Sequence, residues 1–166
     1  MSLEIRAATV DDAAAICEVH LASIRTLCAR DYSPEQIDAW CEGKSPADYV
    51  NAIECGGNLV VAVVGGAVIG FGGIYLQPPV AEVKAVYVHP EATGQGAGRG
   101  ILEALEVQAM EAGCAELSLP ASLTAQRFYA NNGYIAGEPV PHRFANGVEI
   151  LCIPMTKTIE NPSKAG

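Results

Sequence analysis

Basic side chains are scarce in this chain. Its 166 residues hold ten Lys plus Arg against nineteen Asp plus Glu, a net charge of −9 with a pI near 4.7. The whole-molecule field therefore repels polyanions and favours cationic partners, so neither a nucleic acid nor an anionic membrane is expected as a partner. Paired cysteines are missing as well. The six, at 17, 28, 41, 55, 114 and 152, include no C-x-x-C pair and no tight cluster, which argues against both a zinc site and a secreted disulfide framework. Reduced thiols in a cytoplasmic protein without a metal are the expectation. The Met1-Ser2-Leu3 start lacks the basic, apolar and small-residue regions of a secretory signal. No repeat or low-complexity stretch interrupts the chain.

Charged residues make up only 17% and hydrophobic ones 50%, far from the signature of disorder. The length fits one domain, at 3–158, with a core that needs no metal or disulfide, and 159–166 read as a disordered tail. Leu59 to Leu76 runs 18 residues without a charge, at the lower edge of a membrane-spanning helix. Its five glycines and many β-branched residues instead predict two buried strands around a Gly65-Gly66 turn.

Start and stop signals divide the remainder. Ile5 to Ala8 reads as a first strand. Thr9 with Asp12 caps a helix reaching about Cys28, and Ser33-Pro34-Glu35-Gln36 and Ser45-Pro46-Ala47-Asp48 open two shorter helices. After the hairpin, Val80 to Val88 reads as a strand, Gly98 to Ala112 as a helix, Ala115 to Leu119 as a strand and Ser122 to Asn132 as a helix. Strands near Tyr134 to Ala136 and Val148 to Met155 finish the chain, separated by a loop with an Asn146-Gly147 turn. The order β-α-α-α-β-β-β-α-β-α-β-β implies an α/β domain with a mixed, mostly antiparallel sheet flanked by helices. A ligand belongs where such a sheet changes direction.

The most informative segment is Val86-Tyr87-Val88-His89-Pro90-Glu91-Ala92-Thr93-Gly94-Gln95-Gly96-Ala97-Gly98-Arg99-Gly100. A strand ends, four glycines alternate, and a helix begins, so backbone N–H groups and a helix N-terminus can converge on a phosphate. The ordinary alternative is a flexible connection. No Lys-Ser or Lys-Thr follows the glycines, and the spacing fails G-x-G-x-x-G, so ATP and NAD lose support.

This run resembles the acyl-CoA loop of the GNAT superfamily of N-acetyltransferases, usually written Q/R-x-x-G-x-G/A. Thr93, Gly94, Gln95, Gly96, Ala97 and Gly98 fall in register, with Thr93 in place of the usual Arg or Gln and with Gln95 and Arg99 nearby. The resemblance runs from about Ile5 to Lys157. It implies that acetyl-CoA binds here, its pantetheine arm pairing with the backbone of Val86, Tyr87 and Val88. A second segment, Ser122-Leu123-Thr124-Ala125-Gln126-Arg127-Phe128-Tyr129 followed by Gly133-Tyr134, is similar to the family's N-x-x-A-x-x-L-Y-x-x-x-G-F. Ser122 replaces an Asn that binds pantetheine, and Tyr129 takes the place of the Tyr that protonates the departing CoA thiolate. Without the family, Ala125, Phe128 and Tyr129 form a helical stripe of core residues.

The resemblance implies direct acetyl transfer to a primary amine of a small cationic molecule or peptide, through a ternary complex. A non-catalytic acyl-CoA sensor is the alternative, and a homodimer stays open. An amine with a pKa near 10.4 costs about 4.6 kcal/mol to deprotonate at pH 7, so a base would help. Similar enzymes place a glutamate at the position of Glu82, which by simple alternation shares a face with Lys84 and Val86; a solvated cross-strand charge is the ordinary reading. His20, on the apolar stripe Ala13, Ile16, Cys17, Ile24 and Leu27, is a substrate candidate or a core histidine. Tyr32, and His142 in the loop before the last strand, are further substrate candidates, whereas Trp40 fits packing better.

Overall fold

Reciprocal caps set the helix starts. Ser33 Oγ accepts from the Gln36 N–H at 3.2 Å while Gln36 Oε1 accepts from the Ser33 N–H at 2.9 Å. Asp48 accepts from the Ser45 N–H at 2.9 Å in the same way. Each cap supplies acceptors for donors that a helix start leaves open. The structure is a computed structural model that describes residues 2–159. Its elements are β1 (Leu3–Ala7), α1 (Ala13–Thr26), α2 (Pro34–Cys41), α3 (Pro46–Glu54), β2 (Asn58–Val64), β3 (Ala67–Gln77), β4 (Val80–Val88), α4 (Ala97–Glu111), β5 (Glu116–Ser122), α5 (Gln126–Asn131), β6 (Ile135–Ala136), β7 (Val140–Arg143) and β8 (Glu149–Thr158).

The strands form one sheet in the order β1-β2-β3-β4-β5-β8-β6, with β7 also on β8. All its pairings are antiparallel except β4 with β5. The charge-free run is the β2-β3 hairpin, and among the described residues no helix is long and apolar enough to cross a membrane. On one face α4 buries Ile101, Leu102 and Leu105 against Val83, Leu117 and Met155. On the other, Ile16, Cys17 and Val19 of α1 meet Val61, Val63 and Phe71. Each such aliphatic side chain contributes about 1.5–3 kcal/mol by leaving water. Gly70 and Gly72 let α4 approach β3 closely: a Cβ on Gly72 would collide with Ile101 Cγ2 and the Ala85 carbonyl.

Two departures from the sequence reading matter for the site. β4 is bulged: Gly73 pairs with Ala85 and Ile74 with Val83, which leaves Lys84 as the extra residue. Alternation therefore breaks. Val83 and Val86 both face α4, while Glu82, Ala85 and Tyr87 share the α1 face, so Glu82 does not share a face with Val86. The second departure is β7, a strand where a loop was expected, which places His142 opposite Ile150 of β8. Ile159, the first residue of the expected tail, has its N–H donating to the Ala115 carbonyl at 2.9 Å and its side chain, 9% exposed, in the core. The rest of that tail lies outside the described residues.

Candidate active site

β4 and β5 pair only over Val80–Glu82 with Glu116–Ser118, although both continue beyond. Past Glu82 the strands diverge, and the backbone groups of β4 that point toward β5 have no strand partner. Into this opening faces a cavity of about 200 Å³ lined by Val86, Tyr87, Val88, Ser122, Ala125 and Phe128, with Ser23, Leu27 and Cys28 of the α1 segment as its far wall. It shares Val88, Thr93, Gly98 and Phe128 with a second cavity, of about 300 Å³, at the start of α4. A narrow cleft between the diverging strands carries Tyr129. The three adjoin in one crevice that runs from the α4 N-terminus to the strand opening.

The glycine loop forms the outer end. Gly94 and Gly96 have φ of +83° and +84°, the left-handed region in which a side chain is strained. No neighbour lies within 4 Å of a Cβ built at either, so backbone is exposed there. A Cβ on Gly98 would stand 3.2 Å from Phe128 Cε1, so the aromatic ring and the start of α4 close on each other. The opening N–H groups of a fifteen-residue helix lack intrahelical acceptors and carry its positive dipole end, the geometry that holds a phosphate. Thr93 Oγ1 donates to the Pro90 carbonyl at 3.3 Å and lines both cavities. Arg99 lines the outer one while its Nε donates to Glu103 at 2.9 Å. Ala97 lines it too, whereas Gln95 is exposed outside the lining.

At the inner end Ser122 accepts on Oγ from the Ala125 N–H at 3.1 Å, so it shapes the turn into α5 while keeping its own O–H to donate. Tyr129 packs edge-on against Phe128 and Tyr134, with ring centroids 5.1 and 5.6 Å away. Burial pushes its phenol above the ordinary pKa near 10, so it is protonated at neutral pH. No hydrogen bond engages that hydroxyl among the described residues.

The remaining candidates lie off the crevice. Glu82 is half-buried on the α1 face and ion-paired with Lys84 at 2.8 Å, roughly 13 Å along β4 from Val86. His20 stands behind Tyr87, ring centroids 4.3 Å apart, sharing a hydrogen bond between Nδ1 and the Tyr49 hydroxyl at 2.8 Å. Its Nε2 is buried without a partner among the described residues, and desolvation with nearby Lys44 lowers the imidazole to about 3, so it is neutral. The Tyr32 hydroxyl is engaged as a clasp: it donates to the Leu151 carbonyl at 2.7 Å and accepts from the Leu123 N–H at 2.9 Å. His142 is exposed on β7, edge-on to Phe144, away from the crevice because the β7-β8 hairpin holds it there. Missing from the sequence reading were Phe128 as the cover of Gly98 and Ser23, Cys28 and Thr124 as wall residues; the α1 stripe containing Leu27 was their one visible signal. Burial pushes the Cys28 thiol up to about 11, so it is held as the protonated thiol at neutral pH.

Comparisons place this geometry among known proteins. A family model described as the acetyltransferase (GNAT) family matches residues 21–134. Among solved structures, a GCN5-related N-acetyltransferase from Rhodopseudomonas palustris is 31% identical, with a TM-score of 0.86 over 96% of this chain and 97% of that one. The PaiA N-acetyltransferase from Thermoplasma acidophilum, in complex with coenzyme A, is 24% identical with a TM-score of 0.79, over 96% and 100% of the two chains. The yncA protein from Salmonella typhimurium, with its cofactor acetyl-CoA, is 19% identical with a TM-score of 0.73, over 100% and 98%. These last two likenesses concern the fold. No curated protein matches the chain.

Proposed function

This chain belongs to the GNAT family of acetyltransferases and is an acyltransferase, and from that premise we propose that it transfers the acetyl group of acetyl-CoA directly to a primary amine of a small cationic molecule or a peptide, both substrates being bound together. The observation that carries this reading is the crevice itself, which joins a bare-glycine helix start to an opening between two diverging strands.

The residues fit the group. The exposed backbone at Gly94 and Gly96 and the α4 N-terminus suit the pyrophosphate, with Arg99 beside them. The unpaired edge of β4 at Val86, Tyr87 and Val88 suits the extended pantetheine amides, with Ser122 across the cleft. Acetyl-CoA supplies an activated thioester. N–H groups on that same edge can stabilise the oxyanion formed as the amine attacks. The C–N bond forms and the C–S bond breaks. An ammonium sheds one proton to solvent before attack and a second afterwards, and the departing thiolate takes up the equivalent of the second. The Tyr129 hydroxyl is the donor for that thiolate. With its pKa raised above 10 against about 8.5 for a thiol, full transfer from the phenol is uphill, so a hydrogen bond to the developing charge is its main contribution. Glu82 reaches the amine only through water and is the candidate base on that condition. The net charge of −9 draws a protonated amine toward the protein at long range.

The test is release of free CoA thiol from acetyl-CoA against a panel of amines. Amine-dependent thiol release is the expected result. Saturable acetyl-CoA binding without release for any amine would make the protein a sensor.

A further inference from the structure

We propose that the Tyr87 side chain is the acceptor-side contact of this site, its hydroxyl accepting a hydrogen bond from the incoming nitrogen, and that the acceptor is a primary monoamine with an apolar body. The inference rests on the acyl-transfer reading and narrows its substrate class.

The bulge at Lys84 makes the arrangement. It turns Tyr87 toward α1 while Val86 and Val88 face α4, so one strand offers its backbone edge to the donor and an aromatic side chain to the opposite wall. The ring is held in place by Phe71, nearly parallel at 20° with centroids 5.8 Å apart, and by His20 behind it. Its hydroxyl has no hydrogen bond among the described residues, and it is not among the polar atoms sealed from solvent. It is therefore open to solvent, and a ligand in the adjoining cavity can take the place of water on it. A rigid phenol on a cavity wall, beside the strand that would carry the thioester, is a contact awaiting a ligand.

The chemistry of the wall selects the amine. Ser23, Leu27, Cys28, Tyr87 and Thr124 carry no charge, and the Cys28 thiol stays protonated. Asp31 is exposed at the rim and already accepts from Thr124 Oγ1 at 2.8 Å, and Glu82 is committed to Lys84. An ammonium is costly to bury in such a wall without a carboxylate, so it sheds its proton through water before the nitrogen is buried as the free amine. A polyamine would bring a second ammonium with no partner. A monoamine with an apolar or aromatic body brings none, and its body packs on Leu27 and the Tyr87 ring.

Calorimetry on the CoA-loaded protein, with 2-phenylethylamine and spermidine as probes, reads the contact without requiring turnover. The expected result is tighter binding of 2-phenylethylamine than of spermidine. Tyr87→Phe, which keeps the ring, should weaken 2-phenylethylamine by about tenfold and leave acetyl-CoA affinity unchanged, a split that a purely packing role would not produce. Equal 2-phenylethylamine affinity in the variant, no binding to the unaltered protein, or a preference for spermidine would each overturn the proposal. Thiol release measured in parallel separates the two claims: binding that depends on the Tyr87 hydroxyl without release refutes acyl transfer but keeps the contact, and release with unchanged binding in Tyr87→Phe does the reverse.

Discussion

Replacing Tyr129 by Phe should make the protein slower and about as stable. The ring is 6% exposed, and its edge-on contacts with Phe128 and Tyr134 survive the change. The lost oxygen has no hydrogen-bond partner among the described residues, so its removal orphans no donor or acceptor. The hydroxyl is also not among the polar atoms sealed from solvent, so it is not a buried unsatisfied group whose deletion would add stability. The unfolding free energy of Tyr129→Phe should thus stay within about 1 kcal/mol of the unaltered protein's. Turnover should fall. Loss of a donor to the leaving thiolate is worth about 10²-fold, the low end for acid catalysis, because a phenol raised above 10 gives a hydrogen bond more readily than a proton. Urea unfolding, acetyl-CoA calorimetry and saturating-amine rates on the same preparation separate the effects. Full activity would refute the catalytic assignment. A loss of stability beyond about 1 kcal/mol would refute the claim that the hydroxyl is unpartnered.

Three other perturbations address different parts of the account. Gly98→Val forces side-chain atoms into the Phe128 ring, and Gly96→Val places a β-branched residue at a φ of +84°; both should weaken acetyl-CoA by at least about tenfold in folded protein, read by calorimetry. Glu82→Gln should lower kcat/KM most at low pH, where free amine is scarce, and least where it is abundant; a profile parallel to the unaltered protein's assigns deprotonation to another group or to bulk water. Tyr32→Phe unpairs the Leu123 N–H and the Leu151 carbonyl, so it should cost about 1–3 kcal/mol in urea unfolding while the amine KM stays unchanged; a raised KM at full stability would make Tyr32 a substrate contact.

Local signals were legible and long-range ones were not. The glycine turn and β-branched composition located both strands of the Leu59 to Leu76 hairpin, and the Ser33 and Ser45 caps located α2 and α3. The alternating glycines marked the helix start because positive φ at Gly94 and Gly96 is a backbone demand written into residue type. The bulge at Lys84 carries no such mark. It arises from pairing with β3, and it decides which face Glu82 and Tyr87 occupy. The hydrogen bonds of Tyr32 were hidden for a similar reason: its partners stand 91 and 119 residues away, and no local pattern announces them. β7 was hidden because its four residues, including Pro141 and the charged Arg143, are exposed and show no apolar alternation.

Transfer of a carbon-13-labelled acetyl group from acetyl-CoA, followed by NMR in the presence of 2-phenylethylamine, reads acyl transfer itself. The label should move to the amide carbonyl of the N-acetylated amine in step with CoA thiol release, with little free acetate. Label that stays on CoA under saturating binding, or appears only as acetate, would contradict it.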